Sequence, residues 1–509
     1  MQTAIADKDR SGLIAAIILI GWFAASWLMR PQSIVVDWEG WRQADTQTIA
    51  VNGLRPEARF NVPMINWGST KPTPVEAEFQ LYTEMITPIL RLIGADAEWP
   101  GQLISSLSFI VGGLVLFLWL RRRYGAVPAL AGLATLLIGR AALFLGNSIQ
   151  PDGLGLALMI VAWIAFDDWV NERRTSSWVW WVAATLLSAL AKPTNLQLGI
   201  AQFLFVCLTR RDTLKAPALW IGWFIVLAAS ALQLWHGAQI HIATGLTFGV
   251  VSGGDSKFPA LGDFLRPGNY LSLVKLTLVW GIGPLGLIAV LWAALRRNLP
   301  PFFWALGIAH VISLFVALNY TTSVWWGTYY HAPANFIAAL MVAHVLASVL
   351  SDRSVAEKRK PMLVGAFAVA VLAIMVWNSY DRVTMGRGEF EQSFLQIAAD
   401  ARQVVPHDAP ILVRTDADNV IRTWREIPHN HEDPRLLYLL GQCGWALWNS
   451  STEAKTIAEF RDRGAQWLIE PYVYRSKGEQ EEWLRANAHL VVDRPEGRIW
   501  QFTPATPAG

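Results

Sequence analysis

Cysteine is scarce in this chain: only Cys207, inside an apolar stretch, and Cys443 near the C-terminus occur in 509 residues. That excludes a Cys metal centre and a disulfide framework, and the low usage fits a bacterial inner membrane as well as an oxidising organelle. Charge is scarce too. Only 16% of residues are charged and the formal net charge is +3, too little to indicate a nucleic-acid reader. The first apolar stretch is not followed by a small-residue cleavage site but by Trp27, Leu28, Met29, Arg30 and Pro31, so it reads as a retained helix. No internal repeat is evident.

Apolar residues are abundant, at 53%, with 27 tryptophans that cluster where apolar stretches end, as in interfacial belts. Roughly 20 apolar residues make one helical crossing, because a backbone in hydrocarbon must satisfy its own hydrogen bonds. Eleven such stretches are read at 12–29, 102–120, 126–146, 153–170, 178–191, 196–209, 216–235, 271–295, 300–318, 334–350 and 361–378. Arginines and lysines mark alternate joints: Arg121 to Arg123, Arg173 with Arg174, Arg210 with Arg211, Arg296 with Arg297, and Lys358 to Lys360. The positive-inside rule makes these joints cytoplasmic, together with the N-terminus, and an odd number of crossings puts the C-terminus on the other side. The fifth and sixth stretches are short and joined only by Lys192, Pro193, Thr194 and Asn195, so a re-entrant hairpin is an alternative there.

Three segments remain, all on the outer side. Residues 30–100 form a long first loop, and within it 77–94 has helical apolar spacing with Glu78, Glu84 and Arg91 interleaved, an amphipathic helix on the membrane surface. Residues 236–270 are glycine-rich, carry His236, His241, Asp255, Lys257 and Asp263, and suit a mobile lid. Residues 380–509 form an α/β domain with strands at 411–415, 466–470 and 489–493 and helices at 434–442, 453–464 and 479–487. The expected architecture is an all-α polytopic membrane domain over 1–379, with about eleven transmembrane helices, and a C-terminal α/β domain over 380–509.

The densest polar cluster is Asp37-Trp38-Glu39-Gly40-Trp41-Arg42-Gln43-Ala44-Asp45-Thr46, directly after the first crossing. A carboxylate held near aromatic rings loses water, its pKa rises, and it becomes a better proton acceptor near neutrality. Lys192, Arg42 and Arg140 are cations at the outer side of the bundle, where a charge next to hydrocarbon marks a substrate path; for Arg140 snorkelling to the interface is the plain alternative. Asp152 follows Pro151 and reads as a helix N-cap, and His331 between tyrosines reads first as an interface residue. Gly281 to Gly286 matches a dinucleotide fingerprint by letter only: it lies in a crossing and follows no strand, which leaves helix packing. Asn319-Tyr320-Thr321 and Asn449-Ser450-Ser451 match the glycan acceptor pattern, with no sign of a eukaryotic secretory route.

Taken in order, WEGWRQADTQTIA, Glu78-Phe79-Gln80-Leu81-Tyr82, Gln150-Pro151-Asp152-Gly153, Leu190-Ala191-Lys192-Pro193 and Tyr329-Tyr330-His331-Ala332-Pro333 resemble the GT-C superfamily of membrane glycosyltransferases. The likeness is to the bacterial group similar to protein O-mannosyltransferases and the lipid A aminoarabinose transferase, and it covers about residues 10–380. The resemblance implies a hexosyl- or pentosyltransferase that takes a sugar from a polyprenyl-phosphate-linked donor at the periplasmic face of the bacterial inner membrane. It would place that sugar, with inversion, on a hydroxyl of a glycan, lipid or protein acceptor. It also implies an acidic first-loop base, for which Asp45, then Glu39 and Asp37, match; the adjacent Asp-Glu pair common among relatives is absent. Lys192 falls where relatives show a lysine near the donor phosphate, and Arg42, Arg140, Tyr330, His331, Asp152 and Glu78 are the further candidates for substrate contact. No cofactor is required; some members use a divalent ion through paired acids. Two other readings are open: an oligosaccharide ligase or polymerase using a pyrophosphate-linked glycan, and a transporter or flippase of a lipid-linked sugar, against which the missing repeat argues.

Overall fold

The computed structural model describes residues 2–250, 262, 265–316, 325–385, 388–415, 421–422, 426–427, 433–448 and 453–503. Asp255, Lys257, Asp263 and both glycan-acceptor matches lie outside these residues or partly so. Two compact units emerge: Met1–Arg30, Trp99–Leu234 and Lys257–Val383 make the first, and Pro31–Glu98, Trp235–Ser256 and Thr384–Gly509 the second. The first long loop thus groups with the C-terminal segment rather than with the helices that flank it.

The first unit is a bundle of apolar helices, and each of the eleven expected crossings falls on one helix or on a broken pair. In chain order these are α1 (Gln2–Leu28), α4 (Trp99–Tyr124), α5 (Ala126–Ile138) with α6 (Arg140–Leu145), α7 (Asp152–Glu172), α8 (Thr175–Ala191) and α9 (Gln197–Thr209). There follow α10 (Pro217–Thr244), α11 (Pro267–Leu276) with α12 (Gly283–Leu295), α13 (Pro301–Val316), α14 (Ala332–Ser351) and α15 (Lys360–Thr384). Among the described residues, seven helices are long and apolar enough to cross a membrane. The chain is therefore a multi-pass membrane protein of the expected class.

Small residues let the helices approach. A Cβ on Gly281 would stand 2.5 Å from the Ala334 Cβ, and one on Gly286 would stand 2.6 Å from the Ala338 Cβ. The dinucleotide-like letters are a packing seam. Between α5 and α6 the helix breaks at Gly139, where a Cβ would lie 2.3 Å from Asn335 Oδ1. The carbonyls freed by the break are not orphaned: Asn335 Nδ2 donates to the Leu136 carbonyl at 2.8 Å and Asn378 Nδ2 to that of Ile138 at 2.9 Å.

Two clefts show that the helix ends are sorted. One is lined by Asp152, Lys192, Thr194, Asn195, Tyr329 and Tyr330, the other by Arg123, Asp167, Asn171, Arg210, Pro300 and His344. Helix α7 carries Asp152 at its start and Asn171 near its end, about 30 Å apart at 1.5 Å per residue, so the clefts occupy opposite ends of the bundle. Arginines from separate joints gather at one of them, as the alternation of charge along the sequence requires. Helix α8 runs from the arginine-rich end toward Lys192 and α9 runs back, the two joined by a 3-10 turn at Pro193–Leu196; their joint lies at the first cleft.

In the second unit, α2 (Gly40–Asn52), the short pair β1 (Met64–Ile65) and β2 (Thr73–Pro74), and α3 (Leu81–Ile93) build the first loop. Helix α3 buries Tyr82, Ile86 and Leu90 and exposes Met85, Leu92 and Ile93. Two apolar faces on one helix suit an element seated on protein and touching lipid. The C-terminal part is a five-stranded mixed sheet, ordered Gly444–Trp448, Ile411–Thr415, Trp467–Pro471, Gly497–Phe502 and Ala488–Arg494. The first three are parallel, the last two antiparallel. Side chains alternate across it. Ile411, Val413 and Ile469 face a core made with Phe394, Ile397 and Ala401 of helix Glu389–Val404 and with Ile65, Trp67 and Val75 of the first loop. Leu412, Leu468 and Trp500 face the opposite layer, with Ile457 and Leu484. The loop is also stitched to the sheet edge: Gly68 N donates to Gly444 O at 2.8 Å, and Gly444 N donates to Asn66 O at 3.0 Å.

The glycine-rich loop does not begin at 236. Helix α10 runs on to Thr244, since 236–244 keeps helical spacing up to the left-handed Gly245. Residues 246–248 are then tied to Glu76 by backbone hydrogen bonds, Glu76 N to Leu246 O at 3.2 Å and Phe248 N to Glu76 O at 2.9 Å. His236 and His241 are helix residues that bond Asn61 O and Leu246 O, not members of a lid.

Candidate active site

In the second unit the acid cluster sits at the start of α2. The chain enters this helix through Glu39, whose φ of 53° is left-handed and uncommon for a residue with a side chain. Gly40 follows because a Cβ there would lie 2.5 Å from the Val35 carbonyl oxygen. Two of the three acids bond within their own turn. Asp37 Oδ1 accepts the Trp38 N–H at 2.7 Å and its Oδ2 accepts Gln43 Nε2 at 2.9 Å, while Glu39 Oε2 accepts Trp41 Nε1 at 3.0 Å. Asp45 differs. It is 5% exposed, on the second turn of α2, and its Oδ1 accepts Trp67 Nε1 from across the fold at 3.1 Å. Trp67 is in turn held in the core, edge-on to Phe248 at 5.9 Å. Asp45 is thus fixed by a tertiary hydrogen bond and backed by an aromatic ring. Arg42 reaches Glu78 at 3.9 Å, a loose pair of two half-buried groups.

Glu76 escaped sequence reasoning. It is fully buried between Val75 and Ala77 and accepts the Thr247 hydroxyl. A lone charge between apolar neighbours was the signal available. Glu98 is another: burial pushes its carboxyl above the usual carboxylate range, against the opposing pull of hydrogen bonds from Tyr438, the Ile34 N–H and Ser33. Burial likewise pushes the Cys443 thiol up to about 11, which leaves it an inert thiol.

In the first unit, Lys192, Asp152 and Tyr330 come together. Lys192 Nζ lies 2.7 Å from Asp152 Oδ1, with both side chains buried, and it stands 4.1 Å from the ring centre of Tyr329 and 4.6 Å from that of Tyr330. These groups line a narrow cleft. The expected N-cap role of Asp152 is not what the structure shows: Pro151 holds the cap position, and Asp152, the first helical residue, gives its carboxylate to Lys192. An ammonium buried at the helix joint outcompetes the backbone N–H groups for that carboxylate.

Arg140 does not line this cleft and does not snorkel. It is ion-paired with Asp381 at 2.5 Å and lies 4.8 Å from the ring centre of Trp280. Beside it Arg382, 1% exposed, donates to Asn147 Oδ1 at 2.6 Å and covers Phe144 from the other helix. Asp381 and Arg382 were assigned to the tail because the last apolar run ends at 378, whereas α15 continues to Thr384. His331 is fully buried, in hydrogen-bond contact through Nδ1 with Thr277 Oγ1 at 2.9 Å, and 6.5 Å ring to ring from His310. Its side chain is not among those lining the cleft. Among the described residues, no group of three or more His, Cys, Asp or Glu side chains is arranged to hold a metal ion.

The arrangement offers, in one unit, a buried carboxylate oriented by an indole and, in the other, a desolvated lysine in an aromatic-walled cleft at the end of a hydrophobic bundle. A profile for dolichyl-phosphate-mannose-protein mannosyltransferases matches residues 82–236. No curated protein sequence matches the chain. Among solved structures, ArnT from Cupriavidus metallidurans bound to undecaprenyl phosphate superposes with a TM-score of 0.57 at 14% identity, covering 96% of this chain and 97% of that one. The archaeal oligosaccharyltransferase AglB from Archaeoglobus fulgidus gives 0.56 at 12% identity over 96% of this chain and 74% of its own. Mycobacterial arabinofuranosyltransferase AftD gives 0.51 at 13% identity, with 41% of that chain covered. The resemblance read from the sequence is borne out at the level of architecture: the fold is that of the GT-C membrane glycosyltransferases.

Proposed function

We propose that this chain, which has the GT-C fold, transfers a sugar from a polyprenyl-phosphate-linked donor to an acceptor hydroxyl with inversion at the anomeric carbon. Asp45 is the base and Lys192 the counter-charge for the leaving phosphate. The reaction forms a bond between the acceptor oxygen and the anomeric carbon and breaks the bond from that carbon to the phosphate oxygen. The departing electron pair stays on the phosphate, and the acceptor's proton passes to the carboxylate. Because the transition state resembles an oxocarbenium ion, an enzyme helps most by taking the proton and stabilising the departing phosphate.

The single observation that supports this reading is the Lys192–Asp152 pair beneath Tyr329 and Tyr330. A lysine kept out of water at the end of an apolar bundle is expensive. A charged lipid phosphate would repay that cost while its hydrocarbon chain stays in the membrane. The ArnT structure bound to undecaprenyl phosphate and the matched mannosyltransferase profile both concern lipid-linked chemistry, which favours a polyprenyl carrier. The face on which transfer occurs follows from charge: the arginine-rich joints belong inside, so the Lys192 end of the bundle is periplasmic in a bacterial inner membrane.

The test is substitution of Asp45, Glu39 and Asp37 by the matching amides in purified protein, with transfer measured from polyprenyl-phosphate sugars. Asp45→Asn is expected to slow turnover by at least ~100-fold, the low end for a lost general base, with Glu39→Gln and Asp37→Asn closer to wild type. Full activity in Asp45→Asn would remove Asp45 from the role.

A further inference from the structure

A second cleft in the bundle lies at the end opposite Lys192 and takes no part in the chemistry proposed above. Four helix ends that are far apart in sequence supply its walls: Arg123 and Tyr124 at the end of α4, Asp167 and Asn171 near the end of α7, Thr209 at the end of α9 with Arg210 after it, and Pro300 with Pro301 and Phe302 at the start of α13. Two arginines face one carboxylate there. Asp167 is committed to Arg123, 2.7 Å away, and also accepts Trp119 Nε1 at 3.3 Å. Arg210 is left over: its guanidinium makes a long 3.4 Å hydrogen bond to the neutral Asn171 Oδ1, and among the described residues no carboxylate pairs with it. The remaining wall is mostly apolar, made by Phe205, Phe302 and the two prolines, with His344 beside Phe302.

We propose that this cleft binds a phosphate-bearing headgroup, with Arg210 as its principal contact and an anionic phospholipid of the cytoplasmic leaflet as its source. A guanidinium with donors to spare recognises phosphate by paired, charge-assisted hydrogen bonds. Basic pockets between membrane helices on the cytoplasmic side are suited to anionic headgroups. The apolar wall beside Arg210 gives an acyl chain somewhere to lie, which a soluble phosphate would not use. Asp167 is already neutralised by Arg123, so it does not cancel the attraction.

The experiment uses the full chain, purified, stripped of lipid and returned to detergent with phosphatidylglycerol, phosphatidylcholine or inorganic phosphate. Lipid retention is read by native mass spectrometry and the thermal midpoint by intrinsic tryptophan fluorescence. Phosphatidylglycerol is expected to be retained and to raise the midpoint, with phosphatidylcholine and inorganic phosphate doing neither. Arg210→Gln should weaken phosphatidylglycerol binding roughly 10- to 100-fold, the loss expected for hydrogen bonds to a charged group, and Arg210→Lys should recover part of it. Arg210 is exposed, so its substitution leaves the bundle folded, and sugar transfer in lipid-free detergent should be unchanged. Equal retention of phosphatidylglycerol by wild type and Arg210→Gln would overturn the site. Inorganic phosphate matching the lipid's effect would overturn the lipid source.

Discussion

At the scale of single residues, function and stability are entangled at Lys192, because the ammonium that would meet a phosphate also neutralises Asp152. Lys192→Met leaves a buried carboxylate without a counter-charge, a loss of about 3–5 kcal/mol for a broken buried pair. Replacing both partners, as Lys192→Met with Asp152→Leu, should restore most of the thermal stability and none of the transfer. A double variant that still transfers sugar would reduce the pair to a structural bridge. Glu98 makes the stability of the second unit depend on pH. Burial raises its carboxyl above the ordinary 4.5, so the folded state prefers the protonated form. The stability this gives is complete below 4.5 and is lost as pH rises through the raised native value. The Tyr438 hydroxyl, 3.0 Å away, pulls that value down. Tyr438→Phe should therefore move the decline to higher pH, measured as thermal midpoint against pH; an unchanged profile would mean that Glu98 is not the titrating group.

At the scale of elements, the helices were legible and the contacts between them were not. Eleven apolar runs became helices because a membrane leaves the backbone no other partner, and strands 411–415, 467–471 and 488–494 emerged close to where apolar runs placed them. Strand Gly444–Trp448 was missed: GWALW is too short and too rich in tryptophan to be told from the apolar helix ends around it. Helix Glu389–Val404 was missed although Phe394, Ile397 and Ala401 have helical spacing, because the tail was read from its strands. The site was half legible. Acid, lysine and tyrosine motifs stood out as polar residues in apolar surroundings, but nothing in the spacing of Asp45 and Trp67, or of Arg140 and Asp381, announces that they touch. Gly444 shows how tightly the strand is used: a Cβ there would stand 1.8 Å from Ile411 O. Gly444→Ala should destabilise the second unit by about 1–3 kcal/mol through overpacking, and should loosen the 66–68 segment that carries Trp67 to Asp45. Hydrogen exchange across 64–68 would detect it, and unaltered protection would argue that the edge adapts.

At the scale of the whole molecule, charge and hydrophobicity sort the bundle into two chemically different ends. One cleft gathers Arg123 and Arg210 with Asp167, the other the Lys192–Asp152 pair beside Tyr329 and Tyr330, and the same helices connect them. A transporter would use such a bundle to move an intact lipid-linked sugar; a transferase would break that sugar from its phosphate. Purified protein in sealed vesicles, given a polyprenyl phosphate carrying a labelled sugar together with an acceptor fraction, separates the two directly. Label should appear on the acceptor with one free polyprenyl phosphate released per sugar, and Asp45→Asn should abolish both signals together. Intact sugar-lipid crossing the bilayer, with no free polyprenyl phosphate formed, would contradict the proposed chemistry.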